Sequence, residues 1–474
     1  MIKKYSTTEE DKYHTQIIAI CVSSLSAVTY GILFAWTSPF IVKIIEDKEN
    51  YDITESQAAY FTVIPPLMMI LTCPIFSKLS DVIGRKRTLL IMPVPYVLAL
   101  LFTIVSNKLG VLYLSRFCVG IGDGCLYSTL PVYIGEISVP KIRGTCGNLV
   151  SVFMLLGVFV VNVIGSYLDV KNSGYICMVL PIVYFVLMMF MPESPYYYIA
   201  KGKPEKAKKS LRWLRSREDV DEIYLKLSSD LEHQLAEAGT WKDLFCIRNN
   251  RRALVASLFL RIAQQFSGTA TITVYTKLVF EKSGANVSSE IPSMAASGLG
   301  FVFIFVAGFC IERFGRKKMF MISLSSCSIV LLTMAVYFYL DDKVPSVDVT
   351  PAKWIPIAGT ILFIVSTSFG TFNIPTLMSG ELFSSSIKAK AMSVLTLTFG
   401  VFMFLANNIF HFLDVWVGFY APFLFFGVFS IISVFLTIFL IPETKGKTLE
   451  DIQQKLYRKK TKTVEVVEDG KTRY

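Results

Sequence analysis

The stretch SKLSDVIGRKR (residues 77–87) is a short basic segment between two apolar blocks, and its pattern occurs twice in the chain. Asp81-x-x-Gly84-Arg85-Lys86 in the first half is matched by Glu312-x-x-Gly315-Arg316-Lys317 in the second half. Each copy follows the second apolar block of its own half. A repeat at corresponding positions predicts two structurally related halves.

Two further motifs repeat in the same order. Pro131-Val-Tyr-Ile-Gly-Glu136 with Arg143 corresponds to Pro375 and Glu381 with Lys388, and Pro192-Glu193-Ser194-Pro195 corresponds to Pro442-Glu443-Thr444. Three matches in one order are not expected by chance. They indicate the parallel internal repeats that occur in polytopic membrane proteins.

The composition argues against an ordinary soluble protein. Of 474 residues, 53% are hydrophobic and 18% are charged, and the mean hydropathy is +0.53. The apolar residues form blocks of about 20, the length that a helix needs to cross a hydrocarbon core. These blocks lie near 16–42, 57–77, 88–106, 111–134, 147–168, 174–191, 252–279, 293–311, 319–339, 354–379, 390–412 and 418–441. The sequence predicts an all-α polytopic membrane protein with twelve transmembrane helices in two pseudo-symmetric six-helix bundles.

The net charge of +11 follows the positive-inside pattern rather than that of a nucleic-acid-binding protein. Lys and Arg concentrate in 77–87, 192–250, 312–318 and the tail after Pro442, which predicts that these segments and both termini are cytoplasmic. The sequon at Asn286 falls in a loop expected outside, where it is a candidate glycosylation site. We expect a multi-pass protein of the plasma membrane whose partners are a small solute and the lipid bilayer, with no nucleic acid.

The predicted organisation has five parts: a cytoplasmic N-terminus (1–15), a first bundle (16–191), a linker (192–250), a second bundle (252–441) and a C-terminal tail (442–474). Within the linker, one short cytoplasmic helix is expected to begin at Pro204 and another to span Asp219 to Ala238. The linker is either a solvated connector or a regulatory element.

Charged residues at the predicted cytoplasmic helix ends are candidates for a latch that holds the halves together while the inside is shut. The alternative is that they only set topology and anchor helix ends. The candidates are Asp81, Gly84, Arg85, Arg116, Glu136, Arg143, Glu312, Gly315, Arg316, Glu381 and Lys388.

Together these motifs resemble the sugar porter family of the major facilitator superfamily, and within it the insect facilitated trehalose and hexose transporters. The resemblance covers nearly the whole chain. Besides the repeats above, it is carried by Trp36-x-Ser38-Pro39, Ser115-Arg116-Phe117, Gln264-Gln265-Phe266-Ser267-Gly268 with Tyr275, and Pro442-Glu443-Thr444-x-Gly446. It implies the major facilitator fold and a central solute site that opens alternately to each side.

The resemblance also implies which residues bind the solute. Gln264 and Gln265 match the paired glutamines that bind sugar hydroxyls in the family, and an amide offers both a donor and an acceptor. Other family positions differ, because Ala270, Gly300 and Gly400 stand where the family has Asn. The remaining candidates are Thr269, Tyr275, Ser151, Ser368, Asn373, Thr376 and Asn407.

Two positions bear on whether transport is coupled to protons. Thr37 replaces the Asp that proton symporters of the family carry on the first span, which favours a uniporter. Asp123, inside the predicted fourth span, is a possible proton-linked residue or an acid facing a polar neighbour. The surrounding Gly120-x-x-x-Gly124 predicts close helix packing. Arg261 is expected to snorkel toward the cytoplasm, and a substrate role is the less favoured alternative.

Three functions remain: a facilitative carrier for trehalose or a hexose, a proton-coupled symporter of a sugar or polyol-like solute, and a transporter-derived nutrient sensor. An enzyme is disfavoured, because the sequence has no nucleophile–base pair, metal cluster or phosphate loop. We expect no cofactor and no metal.

Overall fold

A computed structural model describes residues 14–139, 142–236, 239–284 and 289–445, and these residues form helices and no strands. The described helices form twelve spans, as predicted. Those of the first half are span 1 (His14–Ala35 and Thr37–Glu46), span 2 (Glu55–Ile83), span 3 (Arg85–Ile91 and Pro93–Val105), span 4 (Leu109–Ile137), span 5 (Arg143–Tyr167) and span 6 (Val170–Met189).

The second half repeats this arrangement. It contains span 7 (Arg248–Phe266, Thr269–Val274 and Thr276–Lys282), span 8 (Glu290–Phe314), span 9 (Arg316–Lys343), span 10 (Trp354–Ser368 and Ile374–Leu382), span 11 (Ser385–Trp416) and span 12 (Tyr420–Leu440), with a 3-10 turn at Thr350–Ala352. Ten spans are helices long and apolar enough to cross a membrane on their own. Spans 7 and 10 are broken near their middle.

Several helices extend beyond the apolar blocks from which they were predicted. Span 2 begins at Glu55 because Thr54 caps it, its hydroxyl accepting from the Gln57 amide while the Gln57 side chain accepts from the Thr54 amide. Apolar composition marks only the part inside the hydrocarbon, whereas the backbone hydrogen bonds continue into polar residues.

The break in span 7 follows from one glycine. Gly268 has φ +79°, a left-handed conformation that favours glycine. The first helix of the span therefore ends at Phe266, and a new helix starts at Thr269. The paired glutamines thus occupy the last turn before the break.

The glycines of span 4 allow close packing against span 2, as predicted. A Cβ on Gly120 would lie 2.5 Å from the Pro65 carbonyl oxygen, and one on Gly124 would lie 2.1 Å from Thr72 Oγ1. Span 2 therefore lies against span 4 through its backbone at Gly120 and through the Thr72 side chain at Gly124. Gly135, on the same helix, has open space where a Cβ would stand.

We expect Gly120→Val to separate spans 2 and 4 and to destabilise the protein by about 1–3 kcal/mol or more, because the Pro65 backbone cannot move aside. Gly135→Ala is the matched control and should unfold at the wild-type temperature. Thermal unfolding of the detergent-solubilised protein checks both variants. Equal melting temperatures for Gly120→Val and wild type would contradict the close packing.

Four helices follow span 6: Pro195–Ala200, Pro204–Arg215, Asp221–Ala236 and Trp241–Cys246. We call the end of the bundle that carries them the linker end and the opposite end the far end. The helix starting at Pro204 was predicted, and the second begins two residues later than expected. The two six-residue helices were not predicted, because they are too short to show a periodic pattern.

The linker helices are attached to both halves. Thr15 Oγ1 of span 1 donates to the Leu214 carbonyl (3.1 Å), and the Gly239 amide donates to the Ser386 carbonyl of span 11 (3.1 Å). Within the linker, the hydrogen-bonded ion pair of Lys208 and Asp221 (2.8 Å) raises the pKa of Lys208 and lowers that of Asp221. The linker therefore bridges the halves at this end.

Candidate functional site

The first charged cluster of the linker end is centred on Arg85, the first residue of span 3. Its Nη2 lies 3.0 Å from Glu136 Oε1 of span 4 and 3.1 Å from Asp81 Oδ1 of span 2, and its Nη1 donates to the Ser80 carbonyl (3.1 Å). The Arg85 and Glu136 side chains are only 14% and 17% exposed. One guanidinium thus ties together the ends of spans 2, 3 and 4.

Glu193 belongs to the same cluster. Its carboxylate accepts hydrogen bonds from the Lys86 amide (2.9 and 3.1 Å) and from the Ser194 amide (2.9 Å). It lies at the N-terminus of span 3, where unpaired amides and the helix dipole favour an anion. Gly84 has φ +112°, and a Cβ there would lie 2.3 Å from Glu193 Oε2, so only glycine fits.

The second half contains the same cluster. Arg316 Nη2 lies 3.0 Å from Glu381 Oε1, and the Glu443 carboxylate accepts from the Arg316 and Lys317 amides (3.0 and 3.1 Å). Gly315, with φ +94°, again lies against this carboxylate. Glu193 and Glu443 were noticed in the sequence only as repeats. Their place in a repeated motif was the available signal that they share a role.

The remaining latch candidates lie differently. Glu312 is exposed and forms no ion pair within the described ranges. Lys388 Nζ donates to the Gly380 carbonyl (2.7 Å). The side chain of Arg143 and the whole of Asn286 lie outside the described residues. Among the described side chains, each arginine–glutamate pair joins spans of one half, so the latch between halves stays a prediction.

Arg116 is not part of the linker-end clusters, contrary to its inclusion among the latch candidates. It lies about two turns from the far end of span 4 and is 1% exposed. Its guanidinium stacks on the Trp36 ring, 4.2 Å from the centroid, and Nη1 reaches the Leu33 carbonyl at 3.4 Å. It joins spans 1 and 4 in the far half of the bundle.

Arg261 points into the protein, which corrects the prediction that it snorkels. Its Nη1 donates to Gln264 Oε1 and to Thr376 Oγ1 of span 10, both at 3.0 Å. Gln264 Nε2 in turn donates to the Phe372 carbonyl in the break of span 10 (3.0 Å). The broken span 10 supplies a carbonyl that an intact helix would not offer, so Arg261 becomes part of the central site.

Other predicted solute-binding residues divide into two groups. Asn373 lies beside this centre, and its Nδ2 donates to Asn148 Oδ1 of span 5 (3.2 Å), a contact between the halves. Ser368 donates to its own helix at the Ile364 carbonyl (3.0 Å). Ser151 is half-buried on span 5. Thr269 Oγ1 is paired with Ser267 Oγ at 2.9 Å, within the break of span 7.

Tyr275 and Asn407 instead lie in a contact between the halves nearer the far end. The Tyr275 hydroxyl is 3.1 Å from Thr62 Oγ1 of span 2, and Asn407 Nδ2 donates to the Thr62 carbonyl (2.9 Å). Further out, the Lys277 amide donates to Ser38 Oγ of span 1 (3.3 Å). We call these three hydrogen bonds the far seal.

A match to a known family decides the class of the protein. A family model described as "Sugar (and other) transporter" matches residues 6–456. The chain belongs to this family.

Two insect relatives in the sugar transporter family are equally similar in sequence but differ in length. The facilitated trehalose transporter Tret1 of Polypedilum vanderplanki is 31% identical over 457 residues, covering 95% of this chain and 90% of that protein. Tret1 of Drosophila willistoni is also 31% identical over 95% of this chain, but the chain spans only 52% of its length.

Solved structures confirm the major facilitator fold for this sugar transporter family member. The proton:xylose symporter XylE bound to 6-bromo-6-deoxy-D-glucose has a TM-score of 0.73 at 18% identity, covering 94% of this chain and 99% of the other. An inward-open conformation of XylE from E. coli has a TM-score of 0.74 at 17% identity, covering 93% and 99%.

Asp123 lies in the first half of this family member, beside the far-seal residues Thr62 and Asn407. It is 5% exposed and accepts a hydrogen bond from the Tyr96 hydroxyl of span 3 (2.8 Å). It lines a cavity of about 20 Å³, together with Thr37, Thr62 and Asn407. No ion pair joins it to Arg116 in the described part of the chain. Over the same residues, no group of three His, Cys, Asp or Glu side chains is placed to hold a metal.

Gln265→Ala should raise the apparent Michaelis constant for solute about 3- to 10-fold, the effect of losing one net hydrogen bond. Gln265 is 1% exposed, and its Oε1 has no partner among the described residues, so it has an acceptor to offer. Labelled-solute uptake, normalised to surface protein, measures the change. Thr273→Ala on the same span is the control, since that hydroxyl bonds only to its own helix. Unchanged uptake by Gln265→Ala would contradict a solute role.

Proposed function

We propose that the chain is an alternating-access carrier that moves a sugar down its concentration gradient. The main support is that the central polar residues Arg261, Gln264 and Thr376 of the second half are flanked by two contacts that join the halves. Asn373 with Asn148 is the linker-side contact, and the far seal is the other. A solute bound between them is reached from one side at a time as the halves rock.

The solute class is proposed from the family and from the central residues. Tret1 relatives are named as facilitated trehalose transporters, so trehalose and hexoses are the first solutes to test. The amide groups of Gln264, Gln265 and Asn373 are suited to sugar hydroxyls, because an amide both donates and accepts.

The chain is proposed to lie in the plasma membrane with the linker end in the cytoplasm. The basic residues of 192–250 and 312–318 support this orientation. The five-part division, with bundles at 16–191 and 252–441, is proposed with it. The linker then marks the cytoplasmic side.

Proteoliposome uptake of labelled trehalose and glucose, with and without an imposed pH gradient, tests the carrier function. We expect solute-specific, saturable uptake that does not depend on the gradient. The absence of any sugar flux from folded protein would overturn the proposal.

Proton-coupled symport is the second candidate, because Asp123 is buried, hydrogen-bonded to Tyr96 and beside the cavity. An acid at this depth is a functional candidate. Asp123→Asn should leave gradient-independent uptake intact if the carrier is a uniporter. Accumulation driven by a pH gradient, and lost in Asp123→Asn, would establish the symporter instead.

A further inference from the structure

Arg261 brings a positive charge into the central site. It is 7% exposed on span 7, at mid-depth of the bundle, and its guanidinium lies 5.4 Å from the centre of the Phe399 ring of span 11. Phe399 in turn contacts the Tyr127 ring of span 4 at 5.2 Å. Arg261 therefore lies next to the boundary between the two halves.

This charge is not balanced by a carboxylate from the part of the chain that the structure describes. Over the described residues, no Asp or Glu oxygen lies within 4.0 Å of Arg261, whose hydrogen-bond partners are the neutral Gln264 and Thr376. A cation held at this depth without a counter-charge is costly, and such groups mark the path of a solute or ion. The second deeply buried guanidinium, Arg116, also lacks an ion pair among these residues.

The unsatisfied atoms around Arg261 describe the missing partner. Within the described ranges, Arg261 Nε is a buried donor without an acceptor, whereas Gln265 Oε1 and Asn373 Oδ1 are buried acceptors without a donor. All three side chains are at least 92% buried. Arg261 and Gln265 are four residues apart, so they share one face of span 7. One cationic donor and two amide acceptors are thus available to a ligand in this site.

We propose that the central site binds a hydroxylated carboxylate, a sugar acid, with its carboxylate on Arg261 and its hydroxyls on Gln265 and Asn373. A guanidinium matches a carboxylate through two parallel hydrogen bonds, and Nε is one of the two donors used. The half-buried rings of Tyr127 and Phe399 give the apolar face of a sugar ring a surface to contact. This inference rests on the proposed carrier function and narrows its solute class.

The test compares D-glucuronate with D-glucose on the full chain. Labelled uptake is measured in proteoliposomes with the membrane potential clamped to zero, and ligand-induced shifts in melting temperature are measured on the purified protein. The variants are Arg261→Gln, Arg261→Lys and the control Arg251→Gln, which removes an exposed charge from the same helix.

We expect wild type and Arg251→Gln to take up glucuronate and to be stabilised by it. Arg261→Gln should reduce glucuronate uptake at a low concentration by at least about thirtyfold, and Arg261→Lys by less, because Lys keeps the charge but not the paired donors. In Arg261→Gln, glucose uptake should fall by a smaller factor than glucuronate uptake, because glucose has no carboxylate that needs the lost cation.

Glucose uptake without glucuronate uptake or stabilisation in wild type would overturn this inference and leave the carrier function standing. Equal glucuronate uptake by wild type and Arg261→Gln would also overturn it. A glucuronate-dependent thermal shift that Arg261→Gln abolishes, without flux of either solute, would support the site and overturn the carrier function.

Discussion

Arg85→Ala is expected to slow the transport cycle by at least about tenfold while changing the Michaelis constant little, since the residue lies far from the solute. The substitution leaves Glu136 without its cation at the end of span 4. Removing one member of a buried pair costs about 3–5 kcal/mol, and the slight exposure of these two side chains favours the lower part of that range. Initial rates over a range of solute concentrations separate the two kinetic parameters.

Two further variants test the assignment. Arg85→Lys keeps the charge but cannot contact several groups at once as Arg85 does. We therefore expect its maximal transport rate to lie between those of Arg85→Ala and wild type. Arg316→Ala should reproduce the Arg85→Ala result through Glu381 in the second half. A loss of affinity at unchanged maximal rate would be incompatible with a role in cycling.

Glu193→Gln is expected to lower the melting temperature by several degrees and to reduce transport more than any exposed acidic substitution. In Glu193 both carboxylate oxygens accept from the Lys86 amide, so the amide of Gln would place an N–H against an N–H. Hydrogen bonds to a charged group contribute about 1.5–3 kcal/mol each. Thermal unfolding and uptake are measured on the same preparation.

Glu443→Gln should show the same loss, because Glu443 holds the N-terminus of span 9 in the same way. Glu205→Gln, in an exposed position of the linker helix Pro204–Arg215, is the matched control and should resemble wild type. Equal melting temperatures for Glu193→Gln and Glu205→Gln would show that the hydrogen bonds between Glu193 and the Lys86 amide do not stabilise the protein.

Much of the fold could be predicted because each membrane-spanning helix needs a continuous apolar stretch of sufficient length, which is visible in the local sequence. Apolar length gave the twelve spans, and the spacing of Gly120 and Gly124 indicated the tight crossing of span 4. The ends of the helices were harder to predict, because a polar capping residue such as Thr54 extends a helix without adding apolar residues.

The side-chain contacts at the site could not be predicted in this way, because they join residues that are far apart in the sequence. Arg261 was expected to reach the surface, because a long basic side chain usually does so. Its actual direction is set by Thr376 and by the break in span 10, more than a hundred residues away. Likewise, the sequence cannot place Trp36 over Arg116, because that contact joins two spans.

The hydrogen bonds of the far seal are weak enough for solute binding to offset them. At about 1 kcal/mol each, the three contribute roughly 3 kcal/mol, and the ring contact of Tyr60 with His411 joins the halves on the same side. Taken alone, three such bonds favour the closed far side by a factor of about 150. Binding at millimolar affinity provides about 4 kcal/mol. A solute that prefers the open form by an energy of that order therefore offsets the three bonds.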